Sequence, residues 1–363
     1  MRHPVRHRSD KIFPALRRRG TPAQQTRQGT VMPETMRAVV LTEPGPVANL
    51  TVQDRPIPAP RPGWARIEVK AFGLNRSELH TRLGLAHGVT FPRVIGIEAT
   101  GVLDALDPAD EGRGPAVGQQ VVTMMGDMGR VYDGGYAQYT LVPVGQIIPF
   151  SSDLPWPVIG AVPETLQTAY GSLTTGLDLQ AGQSLLIRGG TSSVGLAAAA
   201  LAKDLGAVVL ATTRKPDRAA ALRDQGIDHV LIDDGEVAAA TREIFPEGVD
   251  AALELVGTPT LPDTLRATRV HGTVCFTGML SNEWLVHDFY PIGYLPNGVR
   301  LTAYGGESSD LPAAVLQRVL DQIAAGRMTL GPVTVYDLED IRRAHEDLEQ
   351  GNVVGKLVGR TGR

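Results

Sequence analysis

The 363-residue chain has a single cysteine, Cys275. An intrachain disulfide is therefore impossible, and so is a zinc site built from several cysteines. Nothing argues for an oxidising compartment, and the expected location is cytoplasmic. No apolar run is long enough to span a bilayer; the alanine-rich stretch from Val194 to Ala202 is too short. No membrane partner is expected. The main body also lacks basic charge. Residues 1–33 hold eight basic residues and one acid, a local +7, so the net charge of −4 leaves −11 for the remainder. That balance excludes a nucleic-acid-binding face in the folded part. No internal repeat is present.

What is present is ordinary for a globular protein: 42% apolar residues and 20% charged. The length favours two domains. Forty-one glycines and 26 prolines imply many turns and a strand-rich portion. Residues 1–35 show neither hydrophobic period nor strand signal and read as a disordered basic tail, with Met32 and Met36 as alternative starts. An arginine-rich, acid-poor leader to an organelle has the same composition; a secretory signal is excluded because no apolar centre exists.

From Met36 the texture changes. Short strands are predicted at Arg37–Leu41, Arg66–Phe72, Ala99–Leu103, Gln120–Met124 and Tyr136–Val142, separated by Gly/Pro/Asp breaks. They predict a partly closed all-β unit. A helix over Val162–Leu173 then opens a strand–helix alternation. Strands are expected at Ser184–Arg188, Val208–Thr212, His229–Ile232, Val249–Leu255, Gly272–Thr277 and Val299–Tyr304. This is the pattern of a doubly wound parallel sheet. Two further helices and two strands, Pro332–Tyr336 and Lys356–Val358, form a tail that returns to the first domain.

The most informative stretch is Ser184–Arg188 followed by Gly189-Gly190-Thr191-Ser192-Ser193-Val194-Gly195. A buried strand, a turn of small residues and a tightly packed helix are what a dinucleotide's pyrophosphate requires. The pattern is Gly190-x-Ser192-x-x-Gly195, with serine at the middle glycine, and Ser192 also offers a hydroxyl to a phosphate oxygen. The residues expected at the pyrophosphate are Gly190, Ser192, Ser193, Val194 and Gly195. Where an NAD fold places an acid after its second strand, this chain has Thr213-Arg214-Lys215-Pro216-Asp217-Arg218. Thr213, Arg214, Lys215 and Arg218 suit the 2′-phosphate of NADPH, because guanidinium grips phosphate in bidentate fashion.

From Met36 to Gly359 the chain resembles the medium-chain dehydrogenase/reductase superfamily, in particular its zinc-independent quinone oxidoreductase-like branch. The segments that carry the resemblance are Gly73-Leu74-Asn75-Arg76-Ser77-Glu78, Pro92 through Gly101, Gly118-Gln119-Gln120-Val121, Gly135-Tyr136-Ala137-Gln138-Tyr139, Thr168-Ala169-Tyr170 and Gly355-Lys356-Leu357-Val358. The resemblance implies an α/β architecture with a GroES-like β-rich catalytic domain (36–158, completed by 307–363) and a Rossmann-type doubly wound NADP-binding domain (159–306). It places the active site between them and implies a homodimer through the edge strand Val299–Tyr304. Within it, Thr168 is expected at the nicotinamide carboxamide. Gly257 and Gly278 lie at later strand ends lining the cofactor cleft, and Lys356 either approaches the cofactor or caps the last strand.

The zinc enzymes of the superfamily have cysteine where this chain has Asn75 and Gly-His-Glu where it has Gly96-Ile97-Glu98. Two catalytic ligands are thus missing and no metal is expected. Without metal nothing lowers an alcohol's pKa to the alkoxide range. Reduction of quinones or α,β-unsaturated carbonyls is favoured, since hydride acceptance needs only modest carbonyl polarisation and a proton. Asn75 is read either as a hydrogen-bond donor to substrate or cofactor, or as a turn residue. His80, where the branch often has tyrosine, either polarises a carbonyl or gives a proton, or is a plain surface histidine. Glu98 is expected to be structural, paired with an arginine such as Arg82. Two other functions remain open: a non-catalytic NADPH-binding sensor or interaction protein on the same fold, and an enoyl-thioester reductase.

Overall fold

The computed structural model of the protein describes residues 34–362. The basic segment 1–33, on which the tail expectation falls, lies outside the described residues. Glu34 and Thr35 belong to the fold. Thr35 opens the strand Thr35–Leu41, and the Glu34 carbonyl accepts from the Ile57 N–H at 2.9 Å.

The first unit is built around the strand Trp64–Leu74, whose residues alternate between buried and half-buried until Ala71. That period-2 pattern puts one face on a core. The strand pairs antiparallel with Glu98–Leu106, Tyr139–Pro143 and, from the far end of the chain, Lys356–Arg360. The sheet continues through Val333–Asp337 on one side and through Gln120–Met124 and Ile148–Phe150 on the other. A smaller sheet orders Leu50–Pro56, Thr35–Leu41 and Arg93–Val94. Val39, Ile67, Leu103 and the stacked rings of Phe72 and Tyr136 fill the core. The register Leu357↔Leu74 has a consequence for the site: it sets Lys356 beside Asn75, although 281 residues separate them.

The second unit is a six-stranded, all-parallel sheet in the order His229–Ile232, Val208–Thr213, Ser184–Arg188, Val249–Glu254, Thr268–Phe276, Arg300–Ala303. Strand order reverses beside Ser184–Arg188, which creates the crevice where such sheets bind nucleotides. All five residues of Ser184–Arg188 are buried, as a strand covered on both faces must be. The helix Ser193–Leu205 buries Ala197, Ala198, Ala199 and Ala202 against the sheet and ends on Gly206 at φ +91°. The architecture is therefore a GroES-like β-rich domain with a Rossmann-type α/β domain.

Two expectations need correction. The predicted helix Val162–Leu173 is a helix over Pro163–Gly171 followed by a wider π turn, Ser172–Gly176. Ser172 Oγ donates to the Thr168 carbonyl at 2.7 Å, and Gly176 lies so close to Cys275 that a Cβ would sit 2.4 Å from its Sγ. Close packing on the neighbouring strand overrides regular winding. Second, Asn75–Arg82, read only as a motif, contains the helix Arg76–Arg82 with Glu78 Oε2 accepting from the Asn75 N–H at 2.8 Å.

Candidate active site between the two units

The Rossmann strand Ser184–Arg188 runs into the turn through Gly189, at φ +90°. A Cβ at Gly195 would lie 2.7 Å from the Gly189 carbonyl, and one at Gly190 2.7 Å from Ala211 Cβ. Both positions therefore exclude a side chain, as a close strand–turn–helix contact demands. Ser192 is the helix N-cap. Its hydroxyl accepts from the Gly195 N–H and donates its one proton to the Gly189 carbonyl at 2.8 Å. The expectation that this hydroxyl donates to a phosphate is thus corrected: capping has first claim on it. What remains for an anion is the turn's backbone and the positive helix end.

A cavity of about 360 Å³ opens in front of this turn. It gathers Asn75, Arg76, Ser77 and His80 from the first unit and Thr191, Ser192, Ser193, Val194, Arg214, Arg218 and Gly278 from the second. Thr168, Glu164, Arg130, Tyr304 and Asp347 also line it. Four guanidiniums thus border the cavity, and none forms an ion pair among the described residues. Arg130 Nε is buried without a hydrogen-bond partner. Burial and the like charge of Arg214 hold the Arg76 guanidinium below its ordinary range. Such crowding of cations is unfavourable until an anion arrives. The donor set fits a dinucleotide with an additional phosphate.

Other predicted residues stand behind this wall. The Thr213 hydroxyl is buried and bonded to the Lys215 backbone, and Lys215 is exposed outside the cavity. Gly257, at φ +131°, faces the 281–283 loop, where a Cβ would meet Ser281 Oγ at 2.5 Å. That loop carries Asn282, whose Oδ1 lies 3.0 Å from His80 Nε2, and Trp284, whose ring centroid is 5.2 Å from that of His80. Burial, with Arg76 and Arg130 adding to it, holds the His80 imidazole below its usual range despite the Asn282 bond. Burial thus disfavours the charged form of His80.

Lys356 is 2% exposed and does not reach the cavity. Its ammonium donates to Asn75 Oδ1 at 2.5 Å, pairs with Glu98 Oε1 at 2.9 Å and contacts Glu164 Oε2 at 3.4 Å. Asn75 Nδ2 donates to Glu98 Oε1 at 2.9 Å, so the amide is engaged within this cluster even as it borders the cavity. The expected Glu98–Arg82 pair is corrected accordingly: Glu98 pairs with Lys356, while Arg82 pairs with Glu349. Glu78 Oε1 accepts from the Ile97 N–H, and burial pushes its carboxyl up to about 7.

Sequence reasoning missed Arg76, Arg130, Glu164 and the Lys356 cluster. Arg76 and His80 had a legible signal, the i, i+4 spacing of one helix face. Arg130 lies in an irregular segment and had none.

Two buried groups define a pH dependence of stability. His345 is fully buried, and its pKa falls from 6.5 to about 3, chiefly through burial. Its unfolded form takes up a proton below pH 6.5 and its folded form does not, so stability is lost as pH falls from 6.5 toward 3. Glu78 acts oppositely. Its folded pKa of about 7 exceeds 4.5, so its protonated form stabilises the fold at low pH and that contribution fades as pH rises through 7. Where the two overlap they offset. Urea titrations should show a plateau near pH 4.5–6.5 with stability falling below it, and His345→Gln should remove that fall, an effect of up to about 5 kcal/mol between pH 6.5 and 3. An unchanged acid limb in that variant would contradict the assignment.

Comparison with known proteins places this geometry in a family. Residues 61–152 match the alcohol dehydrogenase GroES-like domain, and residues 225–358 match the zinc-binding dehydrogenase model. The chain is 31% identical to the spectinabilin polyketide synthase system protein NorB of Streptomyces orinoci, over 82% of this chain and 13% of that protein. It covers 13% of a Penicillium oxalicum highly reducing polyketide synthase as well. It is 28% identical to mouse prostaglandin reductase-3, over 91% of each chain. A mycobacterial structure solved in complex with NADPH superposes with a TM-score of 0.79 at 27% identity, over 90% of this chain and all of the other. The chain belongs to the medium-chain dehydrogenase/reductase superfamily.

Proposed function

We propose that this protein is an NADPH-dependent oxidoreductase that, without zinc, passes hydride to quinones or α,β-unsaturated carbonyl compounds. The observation that carries the reading is one cavity bordered by a nucleotide turn and four guanidiniums and, behind Asn75, an ammonium seated among carboxylates. Arg214, with Arg76 and Arg218, would hold the 2′-phosphate, and the 189–195 turn the pyrophosphate. Thr168 and Gly278 would flank the nicotinamide. When bound, NADPH supplies a hydride. His80 borders the substrate space, but its Nε2–H is given to Asn282 Oδ1, so the neutral ring would offer a substrate only an acceptor, Nδ1. The side chains of Asn75 and Ile97 are an amide and a hydrocarbon, and Lys356 bridges Glu98 and Glu164, which favours reduction without a metal over alcohol oxidation.

The polyketide synthase matches favour a second reading, an enoyl-thioester reductase, which shares the same chemistry. A screen of NADPH oxidation over quinones, 2-alkenals, enones and crotonyl-pantetheine separates them. Turnover confined to the thioester would replace the first reading, and binding of NADPH with no turnover at all would favour a sensor. We also propose a homodimer through the edge strand Arg300–Ala303. The exposed Leu285, Phe289, Tyr290 and Ile292 give the same unit apolar surface for a second copy. A monomer in light scattering would remove it.

A further inference from the structure

Reduction of an enone requires a proton as well as a hydride. We infer that Glu164 is the acid that supplies it, from a carboxyl held at the cavity wall by Thr168 on one oxygen and Lys356 on the other. This rests on the reductase reading above.

The hydrogen-bond inventory locates the proton. Glu78, Glu98 and Glu164 surround one ammonium, so the fully ionised cluster carries two uncompensated negative charges in a buried place, at a cost that favours retaining a proton. The three N–H bonds of Lys356 are assigned to Asn75, Glu98 and Glu164. Glu98 is well served as a carboxylate: it accepts from Asn75 Nδ2 and Lys356 on one oxygen and from the Glu164 N–H at 3.0 Å on the other. Glu78 accepts from two backbone N–H groups, one on each oxygen; burial raises its carboxyl as well, to about 7, but it does not line the cavity and cannot hand a proton to substrate. Glu164 is the poorest carboxylate site. Lys356 stands 3.4 Å from its Oε2, and Oε1 meets only the Thr168 hydroxyl at 2.9 Å. A hydroxyl accepts as readily as it donates, so Thr168 suits a protonated partner equally. Burial, reinforced by Glu98 and opposed by Lys356, holds the Glu164 carboxyl above its ordinary range.

The other titratable groups on the wall are excluded as the acid. His80 gives its Nε2–H to Asn282 Oδ1, and burial disfavours the imidazolium that would carry a second proton. The Tyr304 hydroxyl donates to Asp310 at 2.9 Å, and burial pushes it well up. Asp347 accepts from Tyr336 and Asn352, close to the Gly351 carbonyl that anchors Arg218, among residues assigned to phosphate. Arginine does not give up its proton at neutral pH.

The step balances simply. Hydride received at the β-carbon, which a bound reduced nicotinamide would supply, would leave the substrate as an enolate. The O–H bond of Glu164 breaks, and the enolate's electron pair forms the new C–H bond at the α-carbon. Lys356 stabilises the carboxylate that results, and solvent restores the proton after product leaves.

Glu164→Gln keeps an acceptor for Lys356 and removes the acid. Two readouts are expected to change. Without cofactor or substrate, the infrared carbonyl band of a buried carboxylic acid at pH 7 should weaken relative to wild type. With an enone, kcat should fall by about 100-fold or more and its alkaline limb should vanish, while the NADPH Kd from fluorescence titration stays unchanged. A wild-type kcat and limb in the variant, or an undiminished band, would overturn the inference. Should the variant not fold, infrared titration of Glu78→Gln decides, because it removes the other raised carboxyl: a remaining carboxylic acid band that titrates with the alkaline limb of kcat supports the assignment, and no remaining protonated carboxyl at the pH of activity refutes it. If the wild type reduces no enone, the functional reading fails, and the infrared arm still tells whether Glu164 holds a proton.

Discussion

Arg214→Ala is expected to raise the Kd for NADPH by roughly 10- to 100-fold and leave that for NADH nearly unchanged, since one charge-assisted bond to phosphate contributes about 1.5–3 kcal/mol. Arg214 directly follows the strand Val208–Thr213, where a 2′-phosphate is read in this fold. Its environment supports the assignment. Arg76 comes from the other unit, half-buried, and burial together with the nearby charge of Arg214 lowers its tendency to hold charge. A dianion between them relieves that repulsion, which makes Arg76→Ala the companion variant. The double variant should lose less than the sum of the singles, because the residues share one ligand. Titration of both cofactors into each variant checks this. Equal losses for NADPH and NADH would place Arg214 elsewhere than at the 2′-phosphate.

The largest loss of stability is expected from Arg188→Met, about 3–5 kcal/mol by urea unfolding. Arg188 is fully buried at the end of the Rossmann strand Ser184–Arg188. It donates to both oxygens of Asp233, at 2.6 and 2.8 Å, and to Asp263 at 2.6 Å. Methionine preserves much of the volume but strands two carboxylates in the interior. The network also reaches the site. Asp233 accepts from Thr212 Oγ1, which in turn accepts from the Gly189 N–H at 3.0 Å. Loosening it should therefore weaken NADPH binding through the turn as well. Because the cost arises from unpaired carboxylates, adding Asp233→Asn and Asp263→Asn to Arg188→Met should recover part of it. A loss of less than about 1 kcal/mol for Arg188→Met alone would contradict the account.

What was legible in the sequence follows from the range of each interaction. The central strand Ser184–Arg188 was readable because a strand buried on both faces is an apolar run; the half-buried edge strand His229–Ile232 also has the expected bounds. Gly190 and Gly195 were readable because a close approach of backbone leaves no alternative residue. The carboxylate–ammonium cluster was not. Asn75, Glu98, Glu164 and Lys356 come from four distant parts of the chain, and only the pairing of Lys356–Arg360 with Trp64–Leu74 brings the lysine to the others. The Glu98–Arg82 expectation matched charges without a geometry to choose between partners. Ser192 was misread because a serine before a helix serves its N-cap as readily as a ligand. His345 sits in the highly charged helix Ile341–Gln350, whose composition gives no hint of a fully buried imidazole.

The proposed nicotinamide reductase works with the buried Lys356 ammonium and no zinc. The most direct test is NADPH oxidation with the best quinone or enone, before and after exhaustive chelation, with metal content measured on the same samples. The account predicts an unchanged rate in metal-free protein and no gain on adding zinc. A rate that is lost with the metal and restored by zinc would contradict it.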